Sequence, residues 1–158
     1  MSVQPRAVLV TMTKPATVVR VEIPGPPMAW ARPKAQRHAA GIRFYEDGKR
    51  TSYRNLCAVL MKQAMGGRAP LDGALRLTLE AVFPCPAARR LKRSLRPTEP
   101  HAKKPDGSNL QKLVEDAGNG ILWLDDSQIA EWSGRKRVGA QGEAPCVLLT
   151  VESLGGAP

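Results

Sequence analysis

Apolar residues alternate with polar ones in two stretches of the chain. Residues 17 to 23, TVVRVEI, place Val19, Val21 and Ile23 at every second position and end at a Pro/Gly cluster. Residues 74 to 83, ALRLTLEAVF, alternate in the same way. This period of two is typical of a strand with one buried face, so both stretches are predicted to be strands.

Apolar residues recur at helical spacing in two other stretches. The first stretch begins at Tyr53 and stops at Gly66 and Gly67, and its apolar positions are Tyr53, Leu56, Cys57, Leu60, Met61 and Ala64. The second has an apolar stripe of Leu110, Leu113, Val114 and Ala117. Ser108 and Gln111 have the spacing of a capping box, so this helix is predicted from about Asn109 to the stop signal Asn119–Gly120.

Two further strands are predicted near the end of the chain, in IAEWSGRKRV and CVLLTVE, paired as a hairpin across residues 139 to 145. The element order β-α-β-α-β-β, without a βαβ repeat, favours an α+β fold in which two main helices cover a mixed or antiparallel sheet of about four strands. The 158 residues suit one domain, predicted at 17–153. It is flanked by a flexible extension, 1–16, and a frayed tail, 154–158.

Charge indicates the class of partner. The 24 Lys and Arg outnumber the 14 Asp and Glu, giving a net charge of +10, which favours nucleic acid over a merely basic surface. Residues 24 to 50 are interpreted as a loop for phosphate contacts and base stacking, or as an ordinary solvated loop. Residues 89 to 104 are interpreted as a mobile loop facing DNA, or as a solvated face. The basic residues of these two segments are Arg32, Lys34, Arg37, Arg43, Lys49 and Arg50, and Arg89, Arg90, Lys92, Arg93, Arg96, Lys103 and Lys104.

Cysteine usage and hydropathy indicate a compartment. Cys57, Cys85 and Cys146 stand far apart without zinc-site spacing, so free thiols in a reducing compartment are expected. No apolar run approaches the roughly 20 residues of a membrane helix, and no signal peptide is recognisable. A cytoplasmic protein without a membrane partner is the expectation.

Five acids cluster in residues 104 to 128, KPDGSNLQKLVEDAGNGILWLDDSQ: Asp106, Glu115, Asp116, Asp125 and Asp126. If the second helix packs on the segment that follows it, Asp106 and the Asp125–Asp126 pair converge. Convergent carboxylates repel unless a cation lies between them, and hard oxygen ligands suit Mg²⁺ or Mn²⁺. Such a site beside DNA suits phosphodiester hydrolysis, with Lys112 stabilising charge. Taken singly, the same residues also fit a helix-start acid, a Lys112–Asp116 surface pair and a turn.

The segment KPDGSNLQKLVEDAGNGILWLDDSQI resembles the signature of the RusA family of Holliday-junction resolvases, in which KPD-x-D-N-L-x-K opens a helix and D-D-x-Q follows. The flanks IPGPPMAWARPK, LRLTLEAVFPCP and RKRVG are also similar to that family. The resemblance spans about Val18 to Glu152. It implies a homodimeric, Mg²⁺-dependent endonuclease that nicks four-way DNA junctions symmetrically and is often encoded by a phage or prophage.

The resemblance also implies roles for individual residues. Asp106 and Asp126 match the metal aspartates, Asp125 matches the acidic neighbour, and Lys112 matches the catalytic lysine. The positions of Asn109, Asp116 and Gln128 match the motif without an assigned role. DNA contacts are expected from Arg32, Lys34, Arg37, Arg89, Arg90, Lys92, Arg93, Lys103, Lys104, Arg135, Lys136 and Arg137.

Ser108 departs from the family pattern, because it stands where a second metal aspartate is usual. Serine carries no charge and is a weaker ligand. Ser108 could coordinate through its hydroxyl or a water, or Asp116 or Asp125 could substitute for the missing carboxylate. The alternative is a junction-binding or nucleic-acid-binding protein whose catalysis is weakened or lost.

Overall fold

The computed structural model describes residues 16 to 155. Residues 1–15 of the predicted extension and residues 156–158 of the predicted tail therefore lie outside the described residues. Along the chain the elements are β1 (Val18–Pro24), β2 (Lys34–His38), β3 (Gly41–Tyr45), α1 (Gly48–Met65), β4 (Leu75–Phe83), β5 (Glu99–Pro100), α2 (Gly107–Gly118), β6 (Ile129–Val138) and β7 (Cys146–Ser153).

The main sheet is mixed and has five strands in the order β1-β7-β4-β6-β5. Strand β7 is antiparallel to both β1 and β4, whereas β6 is parallel to β4. The α+β prediction is confirmed, with one more strand in this sheet than expected. Because α2 lies in the connection between parallel neighbours, β4-α2-β6 forms a single βαβ crossover.

The predicted hairpin between the last two strands is wrong, because β4 lies between β6 and β7. Burial accounts for this order. Strand β7 buries Val147, Leu149 and Val151, so it takes a central place between β1 and β4. Most side chains of β6 are exposed, which suits a strand near the edge of the sheet.

Residues 24 to 50 are not a simple loop, because they contain the two-stranded hairpin β2–β3. All ten residues of these two strands are exposed. The hairpin therefore lacks the buried face that produces a period-two pattern, which explains why the sequence pattern missed it.

Helix α1 begins five residues before the predicted start, at Gly48, where the Asp47 side chain accepts a hydrogen bond of 3.0 Å from the Lys49 N–H. It ends as predicted before Gly66, whose φ of 56° is the left-handed conformation that glycine tolerates. The helix buries Tyr53, Cys57 and Met61 as expected, together with Met65. The predicted core residue Leu56 is instead 38% exposed.

Helix α2 begins at Gly107, so its N-cap position is Asp106. The predicted capping box of Ser108 and Gln111 is wrong, because Ser108 lies inside the first turn and the Gln111 amide bonds the Glu115 side chain. The predicted stripe of Leu110, Leu113, Val114 and Ala117 is buried. It packs into one core with α1 and the inner face of β1, β7 and β4.

Residues 89 to 104, predicted to be a mobile loop, are held by hydrogen bonds and ion pairs. The Gln141 side-chain amide accepts a hydrogen bond from the Leu91 N–H and donates one to the Leu91 carbonyl, at 2.9 and 3.0 Å. Glu99 pairs with both Arg89 and Arg96. Local charge neutralisation and backbone hydrogen bonds therefore hold a segment that composition alone presented as unrestrained.

The three cysteines are free thiols, as expected, and Cys57 and Cys85 are buried. Burial raises the pKa of the Cys57 thiol to about 12, so this group stays protonated at neutral pH. Within residues 16 to 155, no helix has both the length and the apolar character needed to cross a membrane.

Candidate active site

The start of α2 presents an acid that does not cap its own helix. Asp106 occupies the N-cap position in extended backbone geometry, but its carboxylate makes no capping hydrogen bond and is exposed. The segment before it is held to β6, because the Lys136 ammonium donates to the carbonyls of Lys103 and Pro105, both at 2.8 Å. The backbone before Asp106 is therefore held in place by hydrogen bonds. The Asp106 carboxylate itself remains free to bind an external ligand.

The second group of acids, Asp125 and Asp126, lies at the start of a 3-10 turn. This turn spans Asp126–Gln128, and Asp125 is its N-cap residue. The Asp125 carboxylate accepts a hydrogen bond of 2.8 Å from the Ser127 N–H, and the pKa of Asp125 is lowered by its contact with Ser127. The Gln128 side chain completes a capping box by accepting from the Leu124 and Asp125 N–H groups at 2.8 and 3.1 Å. Its amide nitrogen donates to the carbonyls of Leu71 and Gly73, which anchors the turn to the segment before β4.

Helix α2 packs against this turn and adds a carboxylate that the sequence reading did not assign as a ligand. Glu115 is half-buried, and burial raises its pKa, with repulsion from Asp126 and Asp116 acting in the same direction. Ser108, Gln111 and Glu115 follow each other at intervals of three and four residues, so they share one face of the helix. This spacing is the signal from which Glu115 could have been identified.

The acids of residues 104 to 128 form no ion pair with any described Lys, Arg or His. The acids that do form ion pairs within residues 16 to 155 all lie elsewhere: Glu46, Asp47, Glu80, Glu99, Glu131, Glu143 and Glu152. In a chain of net charge +10, cationic side chains are abundant. The central carboxylates therefore have no direct ion pair within residues 16 to 155, although the charge of Lys112 acts against the rise in the pKa of Glu115.

No group of three or more His, Cys, Asp or Glu side chains in the described chain is arranged to hold a metal ion. The donor chemistry still fits Mg²⁺, which keeps several waters and commonly binds one or two carboxylates together with substrate phosphates. Asp106 and Asp126 are exposed carboxylates without ion-pair partners among the described residues. Asp125 is partly committed to its turn, and Ser108 offers only a hydroxyl.

Lys112 does not pair with Asp116, the surface pair that its spacing allowed. Its ammonium lies 5.2 Å from the centre of the Trp30 ring, a cation–π distance. The Trp30 N–H donates to the Asn109 carbonyl at 2.8 Å, so the chain that leads to the β2–β3 hairpin is fastened to α2. Lys112 is exposed, and the indole ring restrains it without neutralising it.

The basic residues predicted to contact DNA divide into two groups. Several have intramolecular partners: Arg89 pairs with Glu99, Arg135 pairs with Glu80, and Arg137 binds Glu80 and Glu143. The hydrogen bond from Arg137 lowers the pKa of Glu143 to about 2, so this pair stays charged at neutral pH. The exposed residues without an ion pair in the described chain are Arg32, Lys34, Arg37, Arg90, Lys92, Arg93, Lys103 and Lys104.

A shallow apolar cavity of about 180 Å³ lies beside the start of α2. Its lining includes Gly107 and Leu110 from the helix and Trp132 from β6. Trp132 is 56% exposed on a strand whose outer edge is paired only at its last two residues by β5. The sequence shows Trp132 as the one aromatic residue of a mostly polar strand, but it was not predicted as a functional residue.

Comparison with protein families gives one match. The model described as endodeoxyribonuclease RusA matches residues 24 to 148, which is most of the chain and includes every element from β2 to β6. No curated protein matches the sequence. The matched range contains Asp106, Lys112 and Asp126.

We expect Gln128→Ala to lower the free energy of unfolding by about 1–3 kcal/mol, because it removes four hydrogen bonds that hold the Asp125–Gln128 turn, one of them partly buried. Urea denaturation followed by circular dichroism measures the change. Gln63→Ala, on the exposed side of α1, is the matched control and should stay within about 0.5 kcal/mol of the wild type. Equal stability of Gln128→Ala and Gln63→Ala would show that the turn does not depend on this side chain.

Proposed function

The chain belongs to the RusA family of endodeoxyribonucleases, and from this premise we propose that it is a Mg²⁺-dependent, structure-selective endonuclease. Its proposed substrate is a four-way DNA junction, which it resolves by paired symmetric nicks. Mn²⁺ is expected to replace Mg²⁺, since both accept hard oxygen ligands.

The observation that carries the proposal is that α2 and the turn packed against it carry exposed acids without an ion pair in the described chain. Asp106 at the start of α2 and Asp126 on the adjoining turn form no ion pair within residues 16 to 155, although the chain is strongly basic. An exposed carboxylate without an ion pair stays available to a cation from solution. A bound divalent cation explains why they are kept free.

The side chains around these acids have separate tasks in the proposed reaction. When bound, the cation would supply an acidified water and charge stabilisation at the phosphate. Asp106 and Asp126 would hold it, with Glu115 and Asp125 contributing negative charge nearby. Lys112, exposed and restrained by Trp30, would stabilise charge on the phosphate or the leaving oxygen. Lys103 and Lys104, just before Asp106, would hold the backbone of the cut strand.

A symmetric homodimer suits the proposed reaction, because a four-way junction offers two equivalent strands and resolution requires two matched cuts. We also propose that the protein acts in the cytoplasm of a bacterial host and is encoded by a phage or prophage. These statements rest on the family and not on any contact in the structure.

Ser108 supports a second candidate function, a junction-binding protein with weakened or absent catalysis. Its hydroxyl carries no charge, and the capping box that would have explained a serine at this position is not formed. The site therefore has one formal negative charge fewer than the family pattern. Binding through the free basic residues does not need that charge and would survive its loss, with a strong dependence on salt.

We expect Asp106→Asn and Asp126→Asn each to lower the rate of Mg²⁺-dependent cleavage of a synthetic four-way junction by at least about 100-fold, the scale of a lost electrostatic contact at a transition state. Junction affinity in a gel-shift assay should be unchanged or higher, because each change removes negative charge near DNA. The control is Glu22→Gln, an exposed acid on β1 that forms no ion pair within the described residues. Wild-type cleavage rates in both aspartate variants would contradict the assignment of the site.

Ser108→Asp separates the two candidate functions, because it restores the charge that the family pattern carries. The nuclease proposal predicts that the wild type cuts and that Ser108→Asp cuts at a lower Mg²⁺ concentration. Ser108→Asn, of similar size but uncharged, should show no such gain. Cutting by Ser108→Asp alone would indicate a degenerated nuclease, and absence of cutting in all three proteins would favour a binding protein.

A further inference from the structure

The β2–β3 hairpin has two chemically different faces. Antiparallel pairing sets Lys34 opposite Tyr45 and Gln36 opposite Arg43, so these side chains share one polar, cationic face. The other face carries the pairs Ala35–Phe44 and Arg37–Ile42. A hairpin with no buried residue thus displays Phe44 and Ile42 beside Arg37 on one face and a more polar surface, with Tyr45, on the other.

The apolar face is uncovered. Phe44 is 70% exposed and Ile42 is 57% exposed, and the two side chains point to the same side because they are two positions apart in β3. Exposure of a large aromatic and a branched aliphatic side chain side by side is unfavourable relative to burying them. Such a pair on a hairpin without extensive packing against another described element is typical of a binding surface.

The base of the hairpin is fastened to the helix that carries the candidate site. On the incoming side, the Trp30 N–H binds the Asn109 carbonyl of α2 and the Trp30 ring lies beside the Lys112 ammonium. On the outgoing side, Glu46 binds the Arg54 guanidinium at 3.1 and 3.2 Å, and Asp47 caps α1. The hairpin is therefore an arm with a fixed root next to α2.

Charge identifies the occupant of the apolar face. Residues 31 to 45 contain Arg32, Lys34, Arg37 and Arg43 and no acid. A second copy of this arm would be repelled by the same four cations. A polyanion with planar apolar groups inside it satisfies both the charge and the exposed ring, and unstacked DNA has both features.

We propose that the β2–β3 hairpin recognises branched DNA, with Phe44 and Ile42 packing against unstacked bases at the branch point. Lys34 and Arg43, on the opposite face, contact the phosphates of the adjoining arm. This inference rests on the proposed function for the choice of a branched substrate. Intact duplex has no open base step, so the apolar face adds affinity only where strands exchange. In this proposal the hairpin distinguishes branched DNA from duplex, and the candidate site on α2 and the turn cleaves the DNA backbone.

The test measures binding without cleavage, in EDTA, with a four-way junction that carries 2-aminopurine at the branch point and with a matched linear duplex. The wild type should bind the junction more tightly and change the 2-aminopurine fluorescence. Phe44→Ala should weaken junction binding about 10-fold, the equivalent of one lost base–aromatic contact, and leave duplex binding unchanged. Phe44→Tyr keeps the ring and should restore both the affinity and the fluorescence change.

Arg43→Gln is the control for the opposite face of the same strand. It should weaken junction and duplex binding equally and reduce the dependence of binding on salt. The proposal is overturned if Phe44→Ala keeps the junction preference of the wild type, or if the wild type itself binds junction and duplex equally. Because no cutting is required, a protein that binds branches but never cleaves them would refute the nuclease function while supporting this role of the hairpin.

Discussion

The unneutralised carboxylates at the meeting of α2 and the Asp125–Gln128 turn are the constraint that organises the rest of the structure. Burial raises the pKa of Glu115, and repulsion from Asp126 acts in the same direction, so the packing of α2 on the turn disfavours the charged carboxylate. Other contacts bear that cost. Lys136 donates hydrogen bonds to the backbone before Asp106, and the Gln128 side chain holds the turn through four hydrogen bonds. Under the proposed function, these carboxylates bind a cation from solution.

The basic residues serve two purposes, which net charge alone does not separate. Arg137 binds Glu80 and Glu143 and Arg89 binds Glu99, so these side chains stabilise the connections around β5 and β6. The residues predicted to contact DNA that have no ion pair in the described chain lie on the hairpin arm and in the segments on either side of β5, where they face solvent. Under the proposed function, this second group binds DNA together with the exposed aromatic face of the arm.

Sequence pattern could predict those elements that bury one face, because burial imposes a period on the apolar residues. Val19, Val21 and Ile23 gave β1, and the stripe of Leu110, Leu113 and Val114 gave α2. The β2–β3 hairpin was not predicted because none of its residues is buried. The positions of β6 and β7 in the sheet were not predicted either, because they depend on which strand packs at the centre. The acids of the candidate site were predicted from their motif, and their role stays a prediction. Glu115 was not assigned, because its proximity to Asp126 depends on how α2 packs against the turn.

The most direct test of a cation-dependent nuclease site is the metal dependence of strand cutting by the unaltered chain. A four-way junction labelled in turn on each strand would be incubated with the protein in Mg²⁺, in Mn²⁺ and in EDTA. The account predicts nicks at symmetric positions in two opposite strands with either metal and none in EDTA. Tight junction binding without a nick in any strand, at every metal concentration, would contradict it.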